Sequence, residues 1–385
     1  MKNRRQFLQS TAVGIAAASL AKPQNKSADS MVDWHGHWIG PTVVELMSKR
    51  KTAPLYVINE KREIFAVARG SSMPAANARP QESSWFDIDQ RLRALDEAGV
   101  QRQVLSWGGA TYDGALSPDE ARPMWMAQND DIAAVVKKHP ARFSGLATLP
   151  TADVTWAAEE LERAHRDLGL IGATLPLDAF VSLEGAKALV PVFAVAQKYH
   201  SHIFVHRNPA AANIPGELPE AGTTNPYFGL PAAGRGGAAG DATVARTTLM
   251  TSTHLATGVI TLALTDFLDA YPDVSVQIAM MGGSIAFVAG QIEFAEEAAG
   301  RPSSTRKLRR VYLDTGQFGR VPRNIAFAAQ IVGADRILFG SDYGPSASIV
   351  PYVEAVKSAT LTPAEKEAIL SGNARTLLAA KGVRA

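Results

Sequence analysis

The sequence predicts one α/β domain, a (β/α)8 TIM barrel with a cap inserted after the first strand and a long lid loop after the fifth. Two observations predict it. Eight short apolar runs of strand length alternate with amphipathic helical patterns, as expected of parallel strands buried on both faces. Polar residues follow several of these runs where each strand should end. Alternation of this kind favours a closed parallel barrel.

The strands are predicted, in order, at 32–38, 103–107, 143–149, 171–177, 202–206, 274–281, 311–315 and 337–342. The helices between and after them are predicted at 86–98, 124–138, 156–168, 186–199, 262–270, 285–299 and 325–331. A last helical region starts with Thr362-Pro363-Ala364-Glu365, which supplies an N-cap, a first-turn proline and the glutamate of a capping box. A doubly wound open sheet is the alternative, because a strand count does not show closure. No GxGxxG follows the first strand, which disfavours its dinucleotide-binding form.

Two connections are longer than usual. Residues 39–85 follow the first strand and are interpreted as an inserted cap, and residues 207–240 follow the fifth and are rich in proline and glycine. Long loops after barrel strands lie on the active-site face, so both are lid candidates. The glycine cluster at 234–237 lacks the Lys-Ser/Thr of a phosphate-binding loop and is interpreted as a linker.

The chain is predicted to begin with a twin-arginine signal peptide at residues 1–21, followed by a disordered lead-in at 22–30 and the barrel domain at 31–385. Arg4 and Arg5 precede an apolar run that is too short to span a bilayer comfortably. We therefore expect export to the periplasm and no membrane association after cleavage. With no cysteine in the chain, disulfides and thiolate metal ligands are excluded.

The composition is that of an ordinary globular protein. Of 385 residues, 46% are hydrophobic and 20% charged, and the formal net charge of +2 argues against a nucleic-acid partner. The densest basic run, at 306–310, has no aromatic residues among its charges and is interpreted as a solvated face. The expected partner is a small-molecule substrate.

Four polar residues at predicted strand ends form a candidate metal site. His35 and His37 are spaced i, i+2 on the first strand, so both side chains point the same way. An isolated pair of this kind is more often a solvated strand end. However, His206 closes the fifth strand and Asp342 the eighth, and all strands of a barrel end at the same mouth. Three imidazoles and one carboxylate suit one divalent ion, zinc first and manganese as an alternative.

Several short motifs resemble one known family. They are LRALDEAGV at 92–100, ND at 129–130, HPARF at 139–143, LP at 149–150, GSDY at 340–343 and GNAR at 372–375. Together they resemble the amidohydrolase superfamily, in the branch related to aminocarboxymuconate-semialdehyde decarboxylase. The resemblance implies a single metal at the four positions above, an activated water, and an aspartate that exchanges protons. It also implies a possible homodimer.

One position departs from the family pattern. The family's sixth strand usually ends in a histidine followed by two glycines, and Met281 occupies that histidine position here. A thioether carries no proton and accepts hydrogen bonds only weakly. Three explanations stay open. Asp342 transfers the proton alone, His254 replaces the missing histidine, or catalysis has been lost and the fold only binds a ligand. His139, His165, His200 and His202 are interpreted as structural.

Substrate contacts are predicted at Trp38, Trp107, Arg207 and Met281. The two tryptophans, like Trp34, lie at strand ends where an aromatic ring could stack, although barrel packing is the commoner use of such residues. Arg207 directly follows a predicted ligand and could pair with a carboxylate. The family resemblance favours a carboxy-lyase acting on a small aromatic or unsaturated acid. The alternatives are a hydrolase of a C–N, C–O or C–C bond and a periplasmic binding protein.

Overall fold

The computed structural model describes residues 30–67, 79–108, 116–207 and 243–383. Its strands are β1 Met31–His37, β2 Leu55–Ile58, β3 Ile64–Val67, β4 Val100–Ser106, β5 Phe143–Gly145, β6 Ala147–Thr148, β7 Gly172–Pro176, β8 His202–His206, β9 Ser275–Ile278, β10 Tyr312–Asp314 and β11 Ile337–Leu338. Its helices are α1 Pro41–Ser48, α2 Ile88–Ala98, α3 Pro118–Lys138, α4 Val154–Arg166, α5 Leu183–Ala188, α6 Val190–Lys198, α7 Thr243–Val259, α8 Ile285–Ala298, α9 Pro322–Val332, α10 Val350–Ser358, α11 Pro363–Glu367 and α12 Asn373–Ala380.

The barrel is closed. Two parallel sheets, β1-β4-β5 and β11-β10-β9-β8-β7-β6, are continuous through the short break at Leu146, so that β5 and β6 form one barrel strand. The last strand returns to the first, because the backbone N–H of Trp34 donates to Phe339 O at 2.8 Å. That of His37 donates to Tyr343 O at 2.7 Å. Eight parallel strand positions therefore form a (β/α)8 barrel, and the open-sheet alternative is excluded.

The predicted strands all exist, and most differ from prediction by a few residues at their ends. The strand at 202–206 is correct to the residue, whereas the eighth ends at Leu338 and continues toward Asp342 as irregular chain. Three helices, α1, α7 and α10, were not predicted. The helix predicted at 262–270 is instead a π-helical turn and a 3-10 turn, and the one at 186–199 is interrupted at Leu189.

Helix ends follow local sequence rules. Asp87 caps α2 by accepting a hydrogen bond from Gln90 N, and Gly99 ends that helix with φ 71°. The predicted capping box is present at α11, where Thr362 and Glu365 bond to each other's backbone. The caps at Asp87 and Gly99 fix the position at which α2 ends and β4 begins. Strand β4 pairs with β1, which carries two of the candidate ligands.

The predicted cap is present after β1. It contains α1 and the antiparallel hairpin of β2 and β3, and residues 68–78 of it lie outside the described part. It packs on α3 around a second apolar cluster that includes Trp85, Trp107 and Trp125. The predicted lid at 207–240 lies outside the described residues except for Arg207. The predicted signal peptide also lies outside them, as does the predicted lead-in except for Ser30.

Among the described residues, we find no helix that combines the length and the apolar character needed to cross a membrane.

Candidate metal centre

The four predicted ligands converge at the mouth of the barrel. His35 Nε2 lies 3.0 Å from His37 Nε2, which in turn lies 3.1 Å from His206 Nε2. Oδ1 of Asp342 is 3.3 Å from the first of these nitrogens and 3.1 Å from the second. The four ligand atoms all lie within 4.8 Å of one another, and all four residues are buried. Among the described residues this is the one such group of three or more candidate ligands.

The protonation of the two β1 histidines follows from their neighbours. His35 Nδ1 lies 3.0 Å from Oδ1 of Asp314, and because a carboxylate only accepts, Nδ1 carries the hydrogen. His37 Nδ1 lies 3.1 Å from Oγ of Ser106, whose own hydrogen is donated to Gly36 O. Both rings thus carry a hydrogen on Nδ1, which leaves Nε2 to bind either a second proton or a metal. Such outer hydrogen bonds, made by the ring nitrogen that faces away from the metal position, are typical of metal-ligating histidines.

The donor set fits one divalent cation. Two imidazole lone pairs and a carboxylate oxygen face each other at 3.0–3.3 Å, and they repel one another unless a positive charge lies between them. Three nitrogens and one oxygen, buried at the carboxyl ends of the barrel strands, are ligands that suit a divalent first-row metal. The geometry therefore supports a single divalent metal.

The electrostatics of the centre also favour a cation. Burial alone would lower the pKa of His35, but the carboxylates of Asp314 and Asp342 outweigh it and raise that pKa to about 10. Burial would raise the pKa of the Asp342 carboxyl, but the two imidazoles of β1 hold it below its usual range. Burial lowers the pKa of His37. The site therefore attracts positive charge while it keeps Asp342 ionised.

A second buried aspartate fixes the backbone around the ligands. Oδ1 of Asp33 accepts hydrogen bonds from His35 N and Ser341 N, both at 3.0 Å. Its Oδ2 accepts from Gln103 Nε2 at 2.6 Å and from Ser341 Oγ at 2.5 Å. The buried guanidinium of Arg91 continues the network to Gln103 and to His37 O. These bonds tie β1, β4 and the chain after β11 into one unit.

Asp342 is presented by a strained backbone. Its φ is 54°, in the left-handed region that non-glycine residues rarely adopt and that costs about 1–2 kcal/mol. Its neighbours hold this conformation, because Ser341 is bonded to Asp33 and Tyr343 N donates to Ser341 Oγ at 3.2 Å. Gly340 allows a close approach, since a Cβ there would lie 2.6 Å from His35 Cβ. The strain therefore serves to direct the carboxylate at the three imidazoles.

The carboxyl end of β9 forms a left-handed turn. Met280, Met281, Gly282 and Gly283 have φ values of 51°, 59°, 61° and 63°. The turn is held from below, where Met280 N donates to Oδ1 of Asp314 at 3.0 Å. Helix α7 packs against the other side of the turn. The contact is so close that a Cβ on Gly283 would lie 2.0 Å from the carbonyl oxygen of Ser252. Both methionines are buried, and it is Met280 whose backbone contacts the hydrogen-bond network of the ligands.

His254 lies on α7, two residues beyond the contact of that helix with the β9 turn. Its side chain is buried. Burial lowers its pKa, and so does the positive charge of Arg207, which follows the ligand His206 directly. The structure therefore brings His254 and Arg207 together on the β8–β9 side of the mouth, and His254 is neutral at pH 7.

The two tryptophans predicted to contact substrate are buried in packed surroundings. Trp38 is part of the barrel core, and its indole donates to Phe86 O at 2.9 Å. Trp107 packs edge-on against Trp125 with ring centroids 5.0 Å apart. A different tryptophan lies at the metal centre. Trp85 is parallel to the His37 ring, 6.0 Å away between centroids.

Sequence reasoning missed the residues that support the ligands, chiefly Asp33, Asp314, Gln103 and Gln277. All four lie within strands or at strand ends, where a polar residue also fits a solvated face. One signal was available for Asp33, which shares the i, i+2 alternation of His35 and His37 and therefore faces the same way.

Comparison with known proteins agrees with this geometry. The family model described as Amidohydrolase matches residues 32–379. A gamma-resorcylate decarboxylase from Polaromonas sp. is 27% identical over 304 residues, covering 77% of this chain and 88% of the relative. A 2-amino-3-carboxymuconate-6-semialdehyde decarboxylase from Dictyostelium discoideum is 26% identical over 315 residues, covering 78% of this chain and 79% of that relative.

Solved structures show the same fold. The 5-carboxyvanillate decarboxylase from Novosphingobium aromaticivorans, determined with manganese and 4-hydroxy-3-methoxy-5-nitrobenzoic acid, superposes with a TM-score of 0.68. The match covers 92% of this chain and 97% of that one, at 17% sequence identity. At this identity the likeness establishes the (β/α)8 architecture.

Proposed function

The chain belongs to the amidohydrolase family, and on that premise we propose that it is a metal-dependent decarboxylase of a small aromatic or unsaturated carboxylic acid. The observation that carries the proposal is the convergence of three imidazole nitrogens and one carboxylate oxygen in a buried mouth. The two relatives described above each match more than three quarters of the chain, and both are decarboxylases by name, which favours carbon dioxide release over hydrolysis.

Separate residues would bind the metal and the substrate. When bound, a divalent cation would supply positive charge for the substrate's oxygens and for the negative charge that develops as carbon dioxide leaves. His35, His37, His206 and Asp342 would hold it. Arg207 lies beside His206 and would pair with the substrate carboxylate or an adjacent hydroxyl. Trp85, which is parallel to the His37 ring, would shape the apolar wall, with Trp107 in the same apolar cluster and Trp38 in the barrel core supporting it.

Decarboxylation requires one proton for each carbon dioxide released. The C–C bond breaks, its electron pair stays on the ring carbon, and that carbon gains a proton. Asp342 is ionised at rest, so it must first take up this proton. Its Oδ1 faces two imidazoles, which leaves Oδ2 as the oxygen that delivers the proton. His254, which is neutral at rest, relays protons to it from solvent.

We propose zinc as the resident metal, with manganese as the alternative. Three imidazoles with one carboxylate are frequent zinc ligands. The structural relative named above was determined with manganese, which supports the alternative. Elemental analysis of the protein as purified, followed by reconstitution of chelator-treated protein with each metal, distinguishes them.

The test is carbon dioxide release from gamma-resorcylate and 5-carboxyvanillate by metal-loaded protein, with a chelator-treated sample as control. Equal amounts of carbon dioxide and decarboxylated product, dependent on metal, are the expected result. Hydrolysis of esters, lactones or amides without carbon dioxide release would replace the decarboxylase with a hydrolase. Saturable ligand binding with no turnover of either class would replace it with a binding protein.

One observation favours the binding-only alternative. The turn that ends β9 presents Met280 and Met281, and neither side chain transfers protons. If the family's chemistry needs a histidine at this turn, the chain would bind substrate and metal without turnover. The presence of His254 on the adjacent helix argues for retained catalysis.

We further propose export by the twin-arginine route. Arg4 and Arg5 followed by an apolar run support it. Cell fractionation of the wild type and of an Arg4→Lys, Arg5→Lys variant tests it. Periplasmic wild type and retained variant are expected, and equal distribution of both would contradict export.

We also propose a homodimer that forms through α8 and α9. Phe287 and Phe294 on α8 are 80% and 65% exposed, and Phe327 and Ile331 extend the apolar surface onto α9, which packs beside it. Both helices run from the mouth toward the opposite end of the barrel. Exposed Arg323 lies near the mouth on α9, and Glu293 and Glu297 lie farther along α8. A two-fold axis through this face would bring the arginine of one copy to the glutamates of the other.

Light scattering after size-exclusion chromatography tests the dimer. A Phe287→Glu, Phe294→Glu variant should be monomeric. Ile58→Glu, at an exposed apolar position on β2, is the matched control and should leave the mass unchanged. A monomeric wild type would contradict the proposal.

A further inference from the structure

A chain of hydrogen bonds runs from the first ligand into the barrel interior. His35 Nδ1 lies 3.0 Å from Oδ1 of Asp314, whose Oδ2 accepts from Gln277 Nε2 at 2.6 Å. Oε1 of that glutamine lies 2.9 Å from His202 Nε2. All four side chains are 0% exposed. The chain thus connects a strand end at the mouth to the first residue of β8, at the opposite end of the barrel.

The donor and the acceptor of every hydrogen bond in this series are fixed. Asp314 only accepts, so the amide NH2 of Gln277 must face it and the amide oxygen must face His202. His202 therefore donates from Nε2. Its Nδ1 lies 3.0 Å from Ser275 Oγ, which can donate to it. Burial lowers the pKa of His202 to about 3, so the ring is neutral and holds this single hydrogen.

We propose that Gln277 and His202 are positioning residues that set the metal affinity of the site by holding Asp314 against the ring of His35. The proposal rests on the metal site of the proposed function. Oδ1 of Asp314 is held by the His35 ring and by Met280 N, which donates to it at 3.0 Å. Gln277 holds the other oxygen, Oδ2, and thereby prevents the carboxylate from rotating. Loss of this constraint lets the His35 ring turn and its Nε2 lone pair leave the metal position. Outer hydrogen bonds of this kind typically contribute about 10–100-fold in metal affinity.

The molecule contains a matched control away from the metal centre. Asn129 donates from Nδ2 to Oε1 of Glu160 at 2.7 Å, as Gln277 does to Asp314, and it is equally buried. Glu160 in turn accepts from Arg163 and not from a ligand. The two amides therefore make the same kind of bond to the same kind of partner, and they differ in whether that partner contacts a metal ligand.

The experiment measures the dissociation constants of manganese and zinc by chelator competition on the full chain. We expect Gln277→Leu to raise them about 10–100-fold and Asn129→Leu by less than about threefold. His202→Leu should weaken binding, whereas His202→Gln, which keeps an N–H donor, should restore it. Because the visible spectrum of bound cobalt reports ligand geometry, it should change for Gln277→Leu and not for Asn129→Leu.

Several outcomes would overturn the inference. Wild-type affinity in Gln277→Leu, or equal losses in Gln277→Leu and Asn129→Leu, would assign Gln277 a structural role only, with the proposed function intact. A wild type that binds neither metal would overturn both proposals. If Gln277→Leu does not fold, Gln277→Asn makes the same test, because its amide is one methylene too short to reach Asp314.

Discussion

The β1 side of the barrel mouth and the β9 side are built on different principles. On the β1 side, ligand rings and backbone are fixed by buried aspartate, glutamine and serine side chains, with donors matched to acceptors. On the β9 side, two methionines occupy a strained left-handed turn, and the titratable group comes from the neighbouring helix α7. If His254 supplies the proton that Asp342 delivers, metal binding and proton supply depend on different sides of the mouth, and a change on the β9 side should lower activity without loss of metal.

The largest effect is expected from breaking the ligand set. His206→Ala combined with Asp342→Asn removes one imidazole and the only charged ligand, so bound metal should be lost and activity should fall to background. Metal content by elemental analysis checks this. Retention of one tightly held metal per chain in the variant would contradict the four-ligand site.

Removing the proton relay should leave metal binding unchanged. We expect His254→Gln to lower kcat by roughly 10²-fold, because a positioned acid–base group contributes about that much or more. Metal content should stay at the wild-type level. If the variant loses metal as well, the two sides of the mouth are not separable. If kcat is unaffected, Asp342 transfers the proton alone.

Restoring a histidine to the β9 turn distinguishes catalysis from binding alone. If the native protein is an enzyme that uses His254, Met281→His should change kcat by less than about tenfold, because an established relay already supplies the proton. Met280→His is the matched variant, since Met280 contacts the ligand network. An inert native protein that gains activity in either variant would instead support the binding-only function.

A smaller effect is expected on the β1 side from Ser106→Ala. The variant removes the hydroxyl that accepts from His37 Nδ1 and leaves that buried N–H unpaired. We expect metal affinity to fall about tenfold, the low end for outer hydrogen bonds of metal-ligating histidines. Wild-type affinity in this variant would show that the ring is held by packing.

Acidification should weaken the fold through the buried histidines. The pKa of His202 is about 3 in the native state and near 6.5 when exposed, so the unfolded chain binds the proton first. Its contribution to the free energy of unfolding is complete above pH 6.5 and is lost as the pH falls toward 3. Denaturant titrations at pH 7.5 and 5 should show a smaller difference for His202→Gln than for the wild type.

Much of the site followed from the sequence because each ligand lies at or just beyond the carboxyl end of a strand. In a barrel, strand ends share one mouth, so His35, His206 and Asp342 could be grouped without knowing any distance. The same reasoning could not find Gln277. Its partners, His202 and Asp314, lie on other strands. The pattern of polar and apolar residues in β9 does not show that both faces of that strand are buried.

Helix α7 was missed for a different reason. Its sequence contains six threonines and two valines, which favour strands or loops over helices, and tertiary packing on the β9 turn overrides that preference. The interruption at Leu189 is explained by Pro191, which cannot continue the hydrogen bonding of α5. Local propensity therefore failed where the surrounding barrel decides the conformation.

The closure of the barrel has a consequence for when the metal can be acquired. Asp33 and Ser341 meet across 308 residues of sequence, and they join the strand with two ligands to the segment with the fourth. During synthesis the first ligands emerge long before the last, so no partial chain has a complete coordination sphere. If the protein is folded before it is exported, its metal is chosen from the ions available in the cytoplasm, and the composition of the periplasm has no influence on that choice.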